Sequence, residues 1–506
     1  MKILLITTQA AEGIVKEVVS KLRMNDLKFD IYRSNAQVAC LASVTSIVEE
    51  LRLSTLDLNE YDLVIIPGLM RGSAKKIEEV FHVPAVKGTL YAGDLPQMIE
   101  ALLEGVKFSP DVPADVILKE NVIRTLQRRV ESVISSKEPL FWLGNVKFVV
   151  DPPPVILFYE YMVEDGSDLG QLSHYLRTNN VEGVIVGCDV ECGSADLMGA
   201  VSRLKSEGFI VGLDVQDFRS VPDDVISELD IVMNVDENSL HWLGGKLSTS
   251  QALVLIPSCS EDVLNSLTKV VSEAFSIGLT KVIVDPLIRP PMLGFSESIK
   301  RFIESKSSIK LPHLFGMPNF YELVDADTSG VIASLMPLSF ELGASVVLLT
   351  ESSHKSRGAV KEAFLAREMV YRAFVRKSPP VDVGIDLLIV KEKVRKHVPP
   401  PPLNGGRAVT VSSFKPYRLD PKHYIKVYVD SDERAIVVDV HDASTHEVKA
   451  RFTGSDPLSV GRAVVEEFNL PADHALYLGF ELSKAEIAMR LRKGYVQDEP
   501  VITFRY

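Results

Sequence analysis

Several short apolar segments in the middle of the chain end in side chains that can bind a small molecule. IVGLD ends in Asp214, IVMNV contains Asn234, KVIVD ends in Asp285, and HLFGMPN ends in Asn319. Carboxylates accept hydrogen bonds, and amides both donate and accept them. Such a set suits a heterocycle in which N–H and C=O groups alternate.

Further polar residues follow other apolar segments and enlarge this candidate site. Each alone could cap a helix, but caps alone do not explain a polar residue at the end of nearly every segment. No histidine pair occupies these positions, which disfavours a zinc-dependent hydrolase, and we predict no metal site built by the protein. The additional candidates are Glu160, Tyr161, Asp189, Asp236, Ser258, Thr350 and Glu351, with Glu322 just after Asn319.

The loop after the last apolar segment of this region carries hydroxyl groups and cations just before a predicted helix. Phosphate binds well to cationic side chains and to the free N–H groups at a helix start. The alternative is that the two cations only solvate the beginning of the helix. The residues that we predict to bind phosphate are Ser352, Ser353, Lys355 and Arg357.

A scaffold must bring these distant residues together. Short segments rich in Val, Ile and Leu are typical of strands buried on both faces, and helical stretches separate them. Eight β-α units between residues 151 and 378 predict a parallel (β/α)8 barrel, whose active site lies at the carboxyl ends of its strands. The weakest helix is 237–243. The strands are predicted at 156–161, 183–189, 210–214, 231–235, 252–258, 281–285, 313–319 and 345–350.

Residues 1–145 alternate between strand and helix and predict a small doubly wound α/β domain of the Rossmann or flavodoxin type. Predicted strands at 2–8, 29–32 and 62–68 precede predicted helices at 95–104 and 114–135. No G-x-G-x-x-G follows the first strand, so a dinucleotide site is not supported. The loop from Gly68 to Ser73 is either an anion-binding loop or a plain turn.

Proline-rich segments mark the other boundaries. Residues 141–154 predict a short β element closed by three prolines, and residues 379–403 predict a stiff linker. Residues 404–506 predict a small α+β domain. Its elements are strands at 423–430 and 434–442 and helices at 458–468 and 480–493. We assign no chemistry to this domain or to its His474 and Tyr477.

Composition excludes some classes of protein. The formal net charge of −13 over 506 residues disfavours nucleic acid as a partner. No segment reaches the ~18 apolar residues of a membrane span, and we expect a cytoplasmic protein. Four scattered cysteines do not form a disulfide framework. Cys188 and Cys192 are interpreted as structural and not as half of a metal site.

Several of these motifs resemble known families. Asp214 in GLD, Asn234 in MNVD and Asp285 in VDP resemble the DT, ND and DPG positions with which dihydropteroate synthases hold a pterin ring. The segment 316–319 is similar to a seventh-strand motif of pterin-dependent methyltransferases. Nearly the whole chain resembles the archaeal dihydropteroate synthase-related family. This resemblance rests on NFYELVDADTSG (319–330), TESSHKSRG (350–358), HALYLGFELSKAE (474–486) and YVQD (495–498).

The resemblance implies a pterin held by Asp214, Asn234, Asp285 and Asn319. It also implies a transferase that joins a hydroxymethyl-pterin diphosphate to an aryl amine, in the biosynthesis of a folate- or methanopterin-type one-carbon carrier. Mg²⁺ and the cations of residues 352–357 would stabilise the leaving diphosphate. A homodimer is left open.

The sequence departs from the synthases at two places. Residues 160–166 replace the first-strand loop that carries an asparagine in the synthases, and their seventh-strand Ser-x-Lys is missing. A pterin-binding or methyl-handling protein without synthase activity is therefore the alternative. A scaffold whose outer domains recruit partners is a third hypothesis.

Overall fold

The computed structural model describes residues 1–22, 27–163, 168–187, 194–215, 217–259, 261–393, 407–411, 420–430 and 433–502. The predictions for Cys188, Asp189 and Cys192 lie outside these ranges. The chain divides into two compact units, residues 1–393 and residues 394–506. In the described part of the chain, no helix is long and apolar enough to cross a membrane.

The N-terminal domain is the predicted doubly wound α/β structure. Its four strands are parallel, in the order β2-β1-β3-β4. Alternate residues of β1 pack on opposite faces, Ile3 and Leu5 towards α4 and α5, and Leu4 and Ile6 towards α2 and α3. The elements are β1 (Lys2–Thr7), α1 (Glu12–Lys21), β2 (Lys28–Arg33), α2 (Val44–Leu53), β3 (Leu63–Ile66), α3 (Lys75–Phe81), β4 (Ala85–Lys87), α4 (Leu95–Leu103) and α5 (Ala114–Ser136). The three-residue β4 was too short to predict from its sequence.

The loop after β3 has the features of a plain turn. A Cβ atom at position 68 would lie 2.6 Å from the carbonyl oxygen of Gly88, so Gly68 is required by the close approach of two chain segments. The Arg71 guanidinium donates to the carbonyl oxygen of Leu41 at 2.9 Å. These contacts explain the glycine and the arginine without a ligand.

A two-stranded hairpin, β5 (Phe141–Leu143) and β6 (Val146–Phe148), precedes the barrel. Leu143 and Phe148 pack against Ile210, Ile231 and Ala252, which begin three of the barrel strands. The hairpin therefore covers the amino-terminal end of the barrel interior.

The predicted (β/α)8 barrel is confirmed. Its strands form one parallel eight-stranded sheet in which the first strand pairs with the last. A parallel bridge between Val284 and His313 closes the remaining gap. The strands are β7 (Ile156–Met162), β8 (Gly183–Gly187), β9 (Ile210–Asp214), β10 (Ile231–Val235), β11 (Ala252–Leu255), β12 (Val282–Val284), β13 (Leu314–Gly316) and β14 (Val346–Leu349). The helices are α6 (Leu169–Thr178), α7 (Ser194–Ser206), α8 (Asp223–Glu228), α9 (Glu237–Leu243), α10 (Val263–Ser276), α11 (Phe295–Ser308), α12 (Pro318–Tyr321), α13 (Thr328–Glu341) and α14 (Ala359–Arg376).

A buried ion network joins the N-terminal domain to the barrel. Arg376, the last residue of α14, donates from Nε to the carboxylate of Asp94 and from an Nη to Asp115 at 3.1 Å. Arg376 and Asp94 are both fully buried. Only glycine fits at position 93, because a Cβ atom there would lie 2.0 Å from the carbonyl oxygen of Arg376.

The second unit is an antiparallel sheet with two helices, as its predicted α+β class requires. The central strand β16 pairs with β15 and β17. Helix α16 begins earlier than the predicted 480, because burial of Leu478 and Leu482 outweighs the low helix propensity of Gly479. His474 therefore lies within this helix. The elements are β15 (His423–Asp430), β16 (Ala435–Asp442), β17 (Val448–Gly454), α15 (Pro457–Phe468) and α16 (Ala472–Leu491).

Candidate functional site at the carboxyl end of the barrel

The ends of β9 and β10 bring Asp214 and Asn234 into direct contact. The Asn234 Nδ2 group donates to Asp214 Oδ1 at 2.6 Å. Asn234 has a φ of 58°, in the left-handed region that asparagine tolerates better than most residues. The pairing of β10 with β11 also shifts register between Val232 and Val235. The strand is thus irregular at the residue that contacts Asp214.

Asp285 directly follows β12 and is only 7% exposed. Its Oδ1 accepts a 2.8 Å hydrogen bond from the backbone N–H of Leu287. Burial raises the pKa of Asp285 to about 7; the hydrogen bond from Leu287 opposes this rise, and the negative charge of Asp214 adds to it. Near neutral pH this carboxyl group therefore exchanges readily between its acidic and ionised forms.

Glu160 on β7 lies in the same electrostatic environment. Burial raises its pKa, and the charge of Asp214 raises it further. Burial also raises the pKa of Asp214, against the effect of the hydrogen bond from Asn234. Three carboxyl groups from three strands, Glu160, Asp214 and Asp285, thus share the mouth of the barrel and are each less acidic than in water.

Asn319 does not end a strand, in contrast to the prediction that placed it in a strand at 313–319. Pro318 starts the short helix α12, since proline is suited to a first helical turn. The Asn319 Nδ2 group donates to the carbonyl oxygen of Ile288 at 2.8 Å. Asp285 and Asn319 therefore bind neighbouring backbone groups of one loop, the N–H of Leu287 and the C=O of Ile288.

The loop after β14 lies against the segment that follows β13. Ser352 and Ser353 donate from Oγ to the two carboxylate oxygens of Glu322, at 3.2 and 2.5 Å. The Lys355 Nζ group donates to the carbonyl oxygen of Val324 at 3.0 Å and lies 3.4 Å from an oxygen of Asp325. The structure thus brings together Ser352, Ser353 and Lys355, and each already has an acceptor.

Arg357, the fourth residue predicted to bind phosphate, is exposed. It makes no hydrogen bond or ion pair with any residue that the structure describes. This arrangement agrees with the alternative in which Arg357 only solvates the start of α14. It also leaves the guanidinium free for an anion from solution.

Other residues at strand ends have structural roles. Asp236 caps α9 by accepting from the backbone N–H of Ser239 at 2.8 Å. Glu351 accepts from the Tyr175 hydroxyl at 2.8 Å and from the backbone N–H of Val360 at 3.0 Å. The cap alternative therefore holds for these two carboxylates and not for Asp214.

Sequence reasoning missed Tyr321, which fixes α12 to β14. Its buried hydroxyl donates to the carbonyl oxygen of Thr350 and accepts from the N–H of the same residue, both at 2.7 Å. The only sequence signal was its position, two residues after Asn319. Tyr321 fixes the segment that carries both Asn319 and Glu322.

The described residues contain no group of three or more His, Cys, Asp or Glu side chains placed to hold a metal ion. Mg²⁺ is commonly held by one or two carboxylates together with phosphates of the substrate. The donors present fit that mode only, in which phosphates of the substrate supply most of the ligands.

The fold and this mouth define a (β/α)8 barrel with a polar, carboxylate-rich opening. A family model described as PterinBD-DUF4346 matches residues 419–498. Over 98% of both chains, this protein is 27% identical to an uncharacterized protein of the archaeon Methanocaldococcus jannaschii. The family model and the archaeal relative support the resemblance to a pterin-binding family related to dihydropteroate synthases that the sequence motifs indicated.

Solved structures similar to this chain include barrels of two kinds. A dihydropteroate synthase from Thermus thermophilus, in complex with 6HMPPP, is 15% identical and covers 46% of this chain and 98% of its own, with a TM-score of 0.35. A truncated 3-deoxy-D-arabino-heptulosonate 7-phosphate synthase from Thermotoga maritima is 14% identical and covers 47% of this chain and 91% of its own, also with a TM-score of 0.35. At these identities and TM-scores, neither a ligand nor the role of a residue can be transferred from these structures to this chain.

Proposed function

We propose that this chain binds a reduced pterin at the carboxyl end of its barrel. The observation that supports this best is the grouping of Asp214, Asn234 and Asp285 at one buried mouth. The pyrimidine half of a pterin carries adjacent N–H and NH₂ donors beside C=O and ring-nitrogen acceptors. Carboxylates match the donors, and the Asn234 amide can match either kind of group.

We further propose that the protein is a transferase. The nitrogen of an aryl amine would attack the exocyclic methylene carbon of a hydroxymethyl-pterin diphosphate. The C–O bond to diphosphate breaks, its electron pair leaves with the diphosphate, and the amine loses one proton. Hydroxyl and cationic groups of residues 352–357, in the loop after β14, would support such a leaving group, and bound Mg²⁺ would neutralise part of its charge.

A second function is favoured by one specific observation. The hydroxyl groups of Ser352 and Ser353 already donate to Glu322, and Lys355 is held by Val324 and Asp325. A protein that binds a pterin without cleaving a diphosphate would need no free anion site there. The alternative is therefore a pterin-binding or methyl-handling protein without synthase activity.

The deciding experiment uses the full chain, a reduced hydroxymethyl-pterin diphosphate, Mg²⁺, and p-aminobenzoate or its ribosylated relatives. Release of pyrophosphate with formation of the pterin–amine product supports the transferase. Tight binding of the pterin without product from any amine rejects the synthase and favours the alternative. If calorimetry detects no pterin binding, both are wrong.

A further inference from the structure

The short helix α12 and the residue after it connect three parts of the barrel mouth. Asn319 bonds to the loop after β12, Tyr321 bonds to the end of β14, and Glu322 accepts from two serines of the loop after β14. The first two contacts hold the backbone of this segment in place. The third is made by a flexible, half-buried side chain.

We propose that Glu322 is a displaceable latch, which occupies the place of an anion on the loop after β14 and determines whether that loop admits a diphosphate. This inference rests on the proposed function, since it concerns the leaving-group end of the same site. It assigns Glu322 as a specificity-determining residue. Its carboxylate binds the loop through two oxygens, as a phosphate would.

Glu322 and a bound phosphate would compete for the same two serine hydroxyl groups. A serine hydroxyl has one proton to donate. The Ser353 hydroxyl donates a hydrogen bond to one carboxylate oxygen of Glu322 at 2.5 Å, and the Ser352 hydroxyl donates to the other oxygen at 3.2 Å. A phosphate that accepts hydrogen bonds from these two hydroxyls must therefore break both of their hydrogen bonds to Glu322.

Charge adds to this competition. A phosphate next to an ionised Glu322 would suffer like-charge repulsion in a partly buried site, where water screens less than in bulk. The Lys355 ammonium lies near Asp325, a fully exposed carboxylate, and donates to a backbone carbonyl. Lys355 belongs to the same loop as the two serines but is held by other acceptors, and the side chain that engages both serine hydroxyls is Glu322.

The latch can open without unfolding the mouth. Glu322 follows Tyr321, the last residue of α12, whose hydroxyl bonds to both backbone groups of Thr350. A change of side-chain rotamer at Glu322 would release both serines while the Tyr321 contacts persist. Displacement by a ligand therefore requires only a local rearrangement.

The test measures binding of inorganic pyrophosphate by titration calorimetry to the full chain at fixed ionic strength, with and without Mg²⁺. The variants are Glu322→Gln and the double variant Glu322→Gln with Ser353→Ala. Glu304→Gln, on the outer helix α11, is the matched control for the loss of one negative charge. Melting curves check that each variant is folded, and Glu322→Ala replaces Glu322→Gln if the glutamine variant is not.

We expect Glu322→Gln to bind pyrophosphate at least tenfold more tightly than the natural chain. The double variant should lose most of that gain, and Glu304→Gln should show none of it. Equal affinities of the Glu322→Gln variant and the natural chain, including binding too weak to detect in both, would overturn the latch. A parallel titration with a reduced pterin tests the proposed function separately, because its ligand binds at Asp214, Asn234 and Asp285.

Discussion

The amide of Asn234 donates a 2.6 Å hydrogen bond to the carboxylate of Asp214 across two neighbouring barrel strands. Asp214 is a largely buried carboxyl group whose pKa burial has raised. The amide therefore stabilises the ionised form of Asp214 that could accept from a ligand. It also sets the direction in which the remaining lone pairs of Asp214 point.

Asn234→Ala should lower both stability and pterin affinity. Removal of the donor leaves a buried carboxyl group without its partner, which typically costs about 1–3 kcal/mol. Denaturant unfolding and pterin titration measure the two effects. Asn238→Ala, on α9, is the matched control, because its amide makes only a long contact of 3.5 Å to Asp236. Equal effects of the two substitutions would show that the Asn234–Asp214 contact has no special role.

Asp285→Asn should weaken pterin binding more than any other isosteric change among Asp214, Asn234 and Asp285. One carboxylate oxygen is engaged by the N–H of Leu287, so an asparagine that keeps this bond presents its NH₂ group to the ligand. A donor facing a donor costs ~1–3 kcal/mol, or roughly ten- to a hundred-fold in affinity. Pterin titration of each variant provides the measurement.

Asp236→Asn is the control for this prediction, because Asp236 also follows a barrel strand but caps α9. It should leave pterin affinity unchanged and lower the melting temperature slightly. If Asp285→Asn behaves in the same way, Asp285 only fixes the turn at Leu287 and the centre of the proposed site is wrong.

Stability should depend on pH through Asp285. Its pKa is about 7 in the folded chain against an ordinary 3.8, so the folded state binds more protons than the unfolded state between these values. The contribution of Asp285 to the free energy of unfolding is therefore fully present below about pH 4 and is lost as the pH rises through about 7. The full shift corresponds to up to about 4 kcal/mol.

The Asp285→Asn variant provides the measurement, because asparagine does not titrate. Unfolding free energies of the two proteins, measured from pH 5 to pH 8.5, should diverge, with the variant gaining relative to the natural chain as pH rises. A difference that stays constant over this range would contradict the raised pKa of Asp285.

The barrel and part of its mouth could be predicted because their signals are local. Asp214, Asn234 and Asp285 each occur at or next to the end of a short buried strand, and the geometry of a closed parallel sheet does the rest. Asn319 was assigned to the correct end of the barrel but to the wrong element, since Pro318 starts a helix there. Strand β4 was missed because three residues are too few to show a periodic pattern. Strand β17 was missed because its sequence, VKARFTG, contains few apolar residues in regular alternation.

Contacts between residues far apart in sequence could not be predicted. Ser353 and Glu322 are 31 residues apart, and Arg376 and Asp94 are 282 apart. No local sequence pattern indicates either contact, because each contact forms only where two loops or two domains meet in the folded chain. The residues predicted to bind phosphate were chosen from their types and their loop alone, and the contact of Ser352 and Ser353 with Glu322 became apparent only from the structure.

The C-terminal domain offers a prediction for the segment that the family model matches. The fully buried Glu481 accepts from Lys484 at 2.8 Å, from the Tyr495 hydroxyl at 2.7 Å and from the backbone N–H of Asp498 at 3.3 Å. Glu481→Ala should destabilise this domain by about 2–4 kcal/mol, because it removes the buried acceptor that these three donors share. Glu486→Ala removes an ion pair with the exposed Arg490 on the same helix and should cost less than about 1 kcal/mol in the same unfolding assay.

The join between the N-terminal domain and the barrel gives the last prediction. Arg376→Met would leave Asp94 buried without its cation, and loss of one partner of a buried ion pair costs about 3–5 kcal/mol. Burial already raises the pKa of Asp94 to about 6, and Arg376 holds it below the value that burial alone would give. Adding Asp94→Asn should therefore restore much of the lost stability, since a neutral amide does not need the guanidinium. Urea unfolding of the single and double variants at pH 8 measures this coupling. If the two substitutions are simply additive, the network does not hold the two domains together through charge.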